Sequence, residues 1–289
     1  MSAGRSDPSR GSPDFAAILT WFVPGAGHVY IGRPLFGLIA FLLIEGLYYL
    51  GVHLTDGRLF EFLEPDLQGP FAGALAPEVG NLGALVWHVK TYAFGPGHPR
   101  PWPPHMHLGS WLTAISGMLN VCLMVRANLD ARRSARTSNL GSRTWIEIVV
   151  GWCVPGLGHV LQKRVRRGLV VFALLVGLFV LGTILAEGSN LDRERHFYYW
   201  AGQFLLGAPV MLAEAVHGHA RVTHDIPYGD AGLVMVCLAG LLNVLALLDL
   251  FGHAERQAAG VKSTTADAIV RGAKATPRRT FRSIWSSPR

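Results

Sequence analysis

One nine-residue phrase occurs twice in this chain. Trp21-Phe22-Val23-Pro24-Gly25-Ala26-Gly27-His28-Val29 returns as Trp152-Cys153-Val154-Pro155-Gly156-Leu157-Gly158-His159-Val160, with seven of the nine positions identical. The offset of 131 residues also aligns Arg33 with Arg164, Gly37 with Gly168, Phe41 with Phe172, Gly46 with Gly177 and Gly51 with Gly182. Two copies of one pattern build two copies of one supersecondary unit, so duplication constrains the architecture before any local feature is read. The far ends match too: Gly117-Met118-Leu119-Asn120-Val121 is echoed by Gly240-Leu241-Leu242-Asn243-Val244 at an offset of 123. The drop from 131 to 123 makes the middle of copy two 8 residues shorter, which places the length change in a connecting segment.

The solvent of these copies follows from charge. Of the 289 residues only 16% are charged and half are hydrophobic, against about 25% charged in soluble domains. The apolar residues gather at 36–52, 168–186, 198–216 and 231–251, each near the roughly 20 residues that cross a bilayer core as a helix. The chain therefore reads as an all-α, polytopic integral membrane bundle of two internal repeats, each with about four helical segments. Its parts are a polar tail 1–14, repeat one at 15–126, a basic linker 127–144, repeat two at 145–251 and a basic tail 252–289. Residues 1–14 lack the form of a cleavable signal: Arg5 and Arg10 are balanced by Asp7 and Asp14, and no small-residue cleavage site follows the first apolar run. Cys122, Cys153 and Cys237 lie in apolar stretches without metal or disulfide spacing and read as small buried residues.

The net charge of +7 is uneven, with eight Lys/Arg in 252–289 and five Arg in 126–143. Basic runs beside membrane helices mark the cytoplasmic side and attract anionic lipid. The expected location is a bacterial inner (plasma) membrane with the C-terminal tail in the cytoplasm. No nucleic-acid-binding fold surrounds these runs, so no nucleic-acid partner is expected. Segment one holds the repeated motif (15–31 and 146–161), and segment two is the strongest span (35–54 and 166–187). Segment three covers about 70–93 and 197–217, and segment four 108–126 and 230–251. Full crossing by every segment would give eight spans and a re-entrant first segment six, so the expected count is six to eight. Full crossing would also put the basic Lys163-Arg164-Val165-Arg166-Arg167 on the wrong side relative to linker and tail. Either segment one is broken or re-entrant, or one loop departs from the positive-inside tendency.

The motif itself is a poor helix interior, because proline removes a donor and glycine loosens the backbone. At membrane depth such a break survives only against protein or water. Pro24, Gly25, Gly27 and His28, with Pro155, Gly156, Gly158 and His159, read first as a tight hairpin whose glycines let helices approach. Gly37 and Phe41, like Gly168 and Phe172, stand four apart on one helix face of segment two. A functional alternative makes His28 and His159 a related pair for proton relay, metal or headgroup contact.

Other polar groups stand in apolar runs. Glu45, replaced by Val176 in copy two, is an intramembrane carboxylate and so a candidate site. Glu214 is expected to snorkel to the interface, and Asn120 and Asn243 to hydrogen-bond between helices. His105 and His107 follow segment three in copy one, and His217 and His219 do so in copy two. Two His-x-His groups could ligate zinc, copper or haem iron, although no carboxylate or Cys partner stands at fixed spacing. No phosphate loop, nucleophile elbow or zinc-protease motif occurs.

Gly25-Ala26-Gly27-His28-Val29-Tyr30-Ile31-Gly32-Arg33, with Gly37 and an apolar helix behind it, resembles the hairpin of the two-transmembrane-helix domain family. The whole unit is similar to uncharacterised bacterial multi-pass proteins that pair a Pro-Gly-x-Gly hairpin with a Gly-Leu-Leu-Asn helix; Gly240-Leu241-Leu242-Asn243-Val244 and Asp249 fit this pattern. Copy one departs from it with Arg126 in place of Asp249, and copy two lacks the Tyr-x-Gly of the hairpin. The resemblance implies an architecture and no activity. The leading expectation is a non-catalytic scaffold or accessory subunit with lipids, a membrane protein or a second copy as partner, anionic lipid at the tail, and no cofactor. A small transporter or channel with a polar site between the repeats is the alternative, and a metal- or haem-linked redox protein the third.

Overall fold

The computed structural model describes residues 11–61, 72–93, 101–132, 140–217 and 224–258. Among these the secondary structure is helical throughout, with no strand. Copy one contains α1 (Pro13–Phe22), α2 (Ala26–Tyr30), α3 (Pro34–Leu54), α4 (Leu82–Tyr92) and α5 (Met106–Ala131); two 3-10 turns, Ala72–Leu75 and Pro77–Gly80, precede α4. Copy two contains α6 (Leu140–Cys153), α7 (Leu157–Leu161), α8 (Val165–Leu185), α9 (Arg193–Phe204), α10 (Ala208–His217) and α11 (Gly229–Ala258).

Helix length decides the crossing number. Only α3, α5, α8 and α11 are long and apolar enough to cross a membrane among the described residues. The chain is thus an integral membrane protein with two such helices per copy, rather than the six to eight crossings expected from apolar runs alone. The shorter segments fall short for a physical reason. α1 has 10 residues, or about 15 Å, half of a bilayer core of about 30 Å. It begins where Ser12 accepts a hydrogen bond from the Phe15 amide and Pro13 fills the first turn, and it stops at Val23, whose backbone is extended. Pro24 and Gly25 then turn the chain back.

The half-length elements of each copy enter from opposite ends and meet at mid-depth beside an asparagine. The Asn120 amide of α5 donates to the carbonyls of Thr20 on α1 (2.8 Å) and Gly80 before α4 (3.0 Å). Gly83 packs directly on the carbonyl of Phe22. In copy two Asn243 of α11 donates to the Leu205 carbonyl (3.0 Å), and Gly207 packs on the carbonyl of Trp152. Segment three of copy two is therefore not one helix over 197–217. It breaks between α9 and α10, where Gly207 takes a φ of +86° that a side-chain-bearing residue rarely adopts.

Segment one accordingly turns back instead of crossing, and this removes the charge conflict. Ser12, the loops 31–33 and 162–164, and the ends of α5 and α11 all lie at one end of the bundle, here the proximal end. They are tied there by Arg33–Asp130, Asn128–Asp14, Arg132–Glu255 and Arg164–Asp249 contacts. The two copies run parallel. Both pairs of spans cross closely through glycine, Gly51 on the Gly109 carbonyl and Gly182 on that of Gly232. Between the copies a core of Met106, Ala114, Met118, Trp152, Trp200 and Phe204 is buried. Facing outward, Leu35, Leu42 and Leu43 on α3 and Leu169, Leu174 and Ile184 on α8 are all more than half exposed, the surface of a protein whose solvent is lipid.

Candidate functional site

The repeated motif folds the same way in both copies. Gly25 and Gly156 share a φ of +81°. A Cβ on either would lie 2.1 Å from a carbonyl oxygen of the next span, Gly37 or Gly168. The Gly27 amide donates to Thr20 Oγ1 at 3.2 Å, while Gly158 rests on the Glu147 carbonyl. Pro24 and Pro155 occupy the turns, where no backbone donor is needed. The loop closes when the amides of Arg33 and Arg164 donate to the carbonyls of His28 (2.8 Å) and His159 (2.9 Å). This geometry carries each histidine under its own copy's spans.

The two histidines then meet different partners. His28 is fully buried, its ring 4.7 Å from that of Phe36. Its Nε2 is 3.8 Å from the Asp130 carboxylate, and neither ring nitrogen makes a hydrogen bond. Asp130 is held by Arg33 at 2.8 Å and Arg126 at 3.5 Å. Burial, then the Arg126 and Arg33 charges, push His28 down to about 3, so it is neutral. His159 Nε2 lies 3.2 Å from Asp249, which also accepts from Arg164 (2.7 Å) and Arg167 (3.1 Å). Burial lowers the His159 basicity, and Asp249 offsets only part of that.

The second site joins the copies. Arg193 of α9 and Glu214 of α10 form an ion pair at 2.9 Å with both side chains fully buried. The indole N–H groups of Trp200 (2.7 Å) and of Trp111, from copy one, donate to the same carboxylate. Arg193 stacks 4.0 Å from the Trp200 ring centre and donates to the Ser110 hydroxyl of copy one. Glu214 therefore does not snorkel: three partners from both copies, Arg193, Trp200 and Trp111, hold it inside. On the proximal side of this seam an apolar cavity of about 660 Å³ is lined by Met118, Cys122, Ile148, Tyr198, Cys237 and Leu241, among others. All three cysteines are free.

The family of unknown function DUF6677 matches the chain twice, over residues 15–138 and 146–263. The chain belongs to this family. No curated protein and no solved structure matches it. The two DUF6677 matches contain one hairpin and one mid-span asparagine each, which are the elements the duplication preserves.

Within the first DUF6677 repeat Glu45 is half-buried beside Asn81, an asparagine whose own side chain makes no hydrogen bond of normal geometry. Nearby Glu78 is buried and accepts from Thr113 Oγ1 at 2.7 Å, and the Tyr48 hydroxyl has no partner. The sequence did not single out Glu78, Asp130, Arg193 or the two tryptophans. The histidines of the His-x-His groups lie at the distal end. His105 is exposed before α5, His107 is half-buried in its first turn, and the His217 ring packs over Gly188; His219 lies outside the described residues. Among the described residues no three His, Cys, Asp or Glu side chains gather as a metal set.

Proposed function

We propose that the protein is a non-catalytic membrane scaffold, one fused body whose surfaces hold a lipid or protein partner. The observation that carries this reading is the division of polar from apolar groups. The buried charges of the seam are spent on each other, in Arg193–Glu214 with Trp111 and Trp200, while the large cavity between the copies is lined by apolar side chains. A reaction centre requires a reactive group turned toward a substrate space; this interior offers an apolar partner a surface instead. The basic proximal end supports a bacterial plasma membrane with linker and tail in the cytoplasm, the tail drawn to anionic lipid. Native mass spectrometry of protein drawn gently from its own membrane tests the reading. A stoichiometric lipid or protein companion is the expected result, and a bare chain under every mild extraction contradicts it.

A second reading is a small transporter, motivated by Glu45, Glu78, Tyr48 and Asn81 at membrane depth. Proteoliposome ion flux that falls in the Glu45→Gln variant would favour it, and flux unchanged for every ion tried would remove it.

A further inference from the structure

The aligned proximal ends differ in one respect that points to a ligand. Where copy one reads Gly32-Arg33-Pro34-Leu35-Phe36, copy two reads Lys163-Arg164-Val165-Arg166-Arg167. On the fourth segment Arg126 of copy one is replaced by Asp249. In copy one Arg126 lies 4.0 Å over the Phe36 ring, and Phe36 packs on Ala40, Ile44 and Leu123. That pair fills the space between α3 and α5. In copy two the same positions hold Arg167 and Asp249, and between α8 and α11 a groove of about 560 Å³ is open. Its walls are Val171, Leu174, Leu178, Leu242 and Leu245, and its mouth is Arg167, Asp249 and His159.

We infer that copy two carries a site for one anionic phospholipid, with its phosphate at Arg166 and Arg167 and one acyl chain in the α8–α11 groove. This rests on the scaffold reading and names a lipid class and place for it. Three observations converge. The groove runs from Arg167 to Leu178, about 16 Å along a helix and the depth of one leaflet. Its volume lies in the range of small-molecule sites. The charge around its mouth is unbalanced: Arg164 and Arg167 share the one carboxylate of Asp249, and the neighbouring Lys163 and Arg166 are exposed. Arg167 remains 56% exposed and Asp249 34% exposed, so both are reachable from the headgroup layer. Asp249 orients Arg164 and Arg167, and its single charge balances only one of them. A phosphodiester, singly negative and rich in acceptor oxygens, complements that excess.

The test uses the full chain, delipidated in detergent, titrated with phosphatidylglycerol and phosphatidylcholine of the same acyl chains and read by native mass spectrometry. The wild type is expected to retain one phosphatidylglycerol in preference to phosphatidylcholine. Arg166→Gln with Arg167→Gln changes two exposed side chains and is expected to weaken that preference roughly thirtyfold, at about fivefold per charge. Arg167→Phe with Asp249→Arg gives copy two the closed pair of copy one and is expected to abolish the bound lipid. Equal retention of the two lipids by the wild type overturns the site, as does a preference that survives both pairs of substitutions. A protein companion still recovered from native membranes in those variants would leave the scaffold reading standing while the lipid site falls.

Discussion

The proximal ends of the two copies share a backbone and differ in their charges. Both use a glycine at +81°, both press it onto the next span, and both bury a histidine. The carboxylate facing that histidine comes from different places. Asp130 of copy one aligns with His253, and Asp249 of copy two with Arg126, so the acid has moved one helical turn along the fourth segment. The hairpin survives this move. What holds the motif is the close glycine contact and the loop-closing amide bonds to His28 and His159, while the ion pairs around the histidine were free to change. The acid of copy one is fully buried and that of copy two is partly exposed, which leaves copy two the more open end.

The largest expected effect lies at the seam that makes the comparison possible. Glu214→Leu leaves Arg193 buried without its anion, and breaking such a pair costs about 3–5 kcal/mol. Thermal unfolding in detergent should show a large fall, and a neutral result would mean that the copies are not joined there. Next come Gly25→Ala and Gly156→Ala. Each puts a Cβ at positive φ against a carbonyl, and each should cost roughly 2–4 kcal/mol. Equal losses would confirm that the hairpin is the shared element; a tolerated substitution in one copy would break the symmetry of the account.

Smaller effects sharpen the difference in charge. Asp130→Asn leaves Arg33 and Arg126 around a buried site and should cost about 1–3 kcal/mol. The part-exposed Asp249 is screened by solvent, and Asp249→Asn should cost below about 1 kcal/mol. The reverse order would contradict the burial assigned to the two ends. The last effect is in pH, about 1.4 kcal/mol per unit below the ordinary histidine value. His28 is held neutral with a pKa near 3 in the folded protein against 6.5 in a free histidine. An unfolded chain takes up that proton first as pH falls, so stability is present above about pH 6.5 and declines as pH drops toward 3. Unfolding temperatures at pH 7.5 and 5.5 should differ more for the wild type than for His28→Asn, and equal slopes would remove the assignment.

Much of the architecture was legible in the sequence, because duplication and low charge act over whole segments. An all-α membrane bundle of two repeats needs only the phrase at Trp21 and Trp152 and the apolar runs. The crossing number was less so. Segments one and three are as apolar as many spans, and only the breaks at Gly25, Gly156 and Gly207 cut them to half length. Turning points were visible as Pro and Gly in the motif, whereas Leu205-Leu206-Gly207 reads as ordinary helix. The polar partners were hidden by distance. Glu214 meets Arg193, which stands 21 residues earlier, and Trp111, which belongs to the other copy. Asp130 sat within a basic linker. The one local signal for it was its place four residues after Arg126, the spacing of a helical ion pair.

The central claim is that the first segment of each copy turns back at mid-depth, so that each copy crosses twice and both point the same way. Single cysteines placed at Asp14, Arg132 and Lys163, and separately at Asp56, His105 and Glu187, test it most directly. The background would have Cys122, Cys153 and Cys237 replaced, and a membrane-impermeant maleimide would be applied to sealed vesicles. The fold predicts that the first three positions react from one side and the second three from the other. Labelling of Asp14 and Lys163 from opposite sides would mean that the first segment crosses fully, and would contradict the re-entrant hairpin.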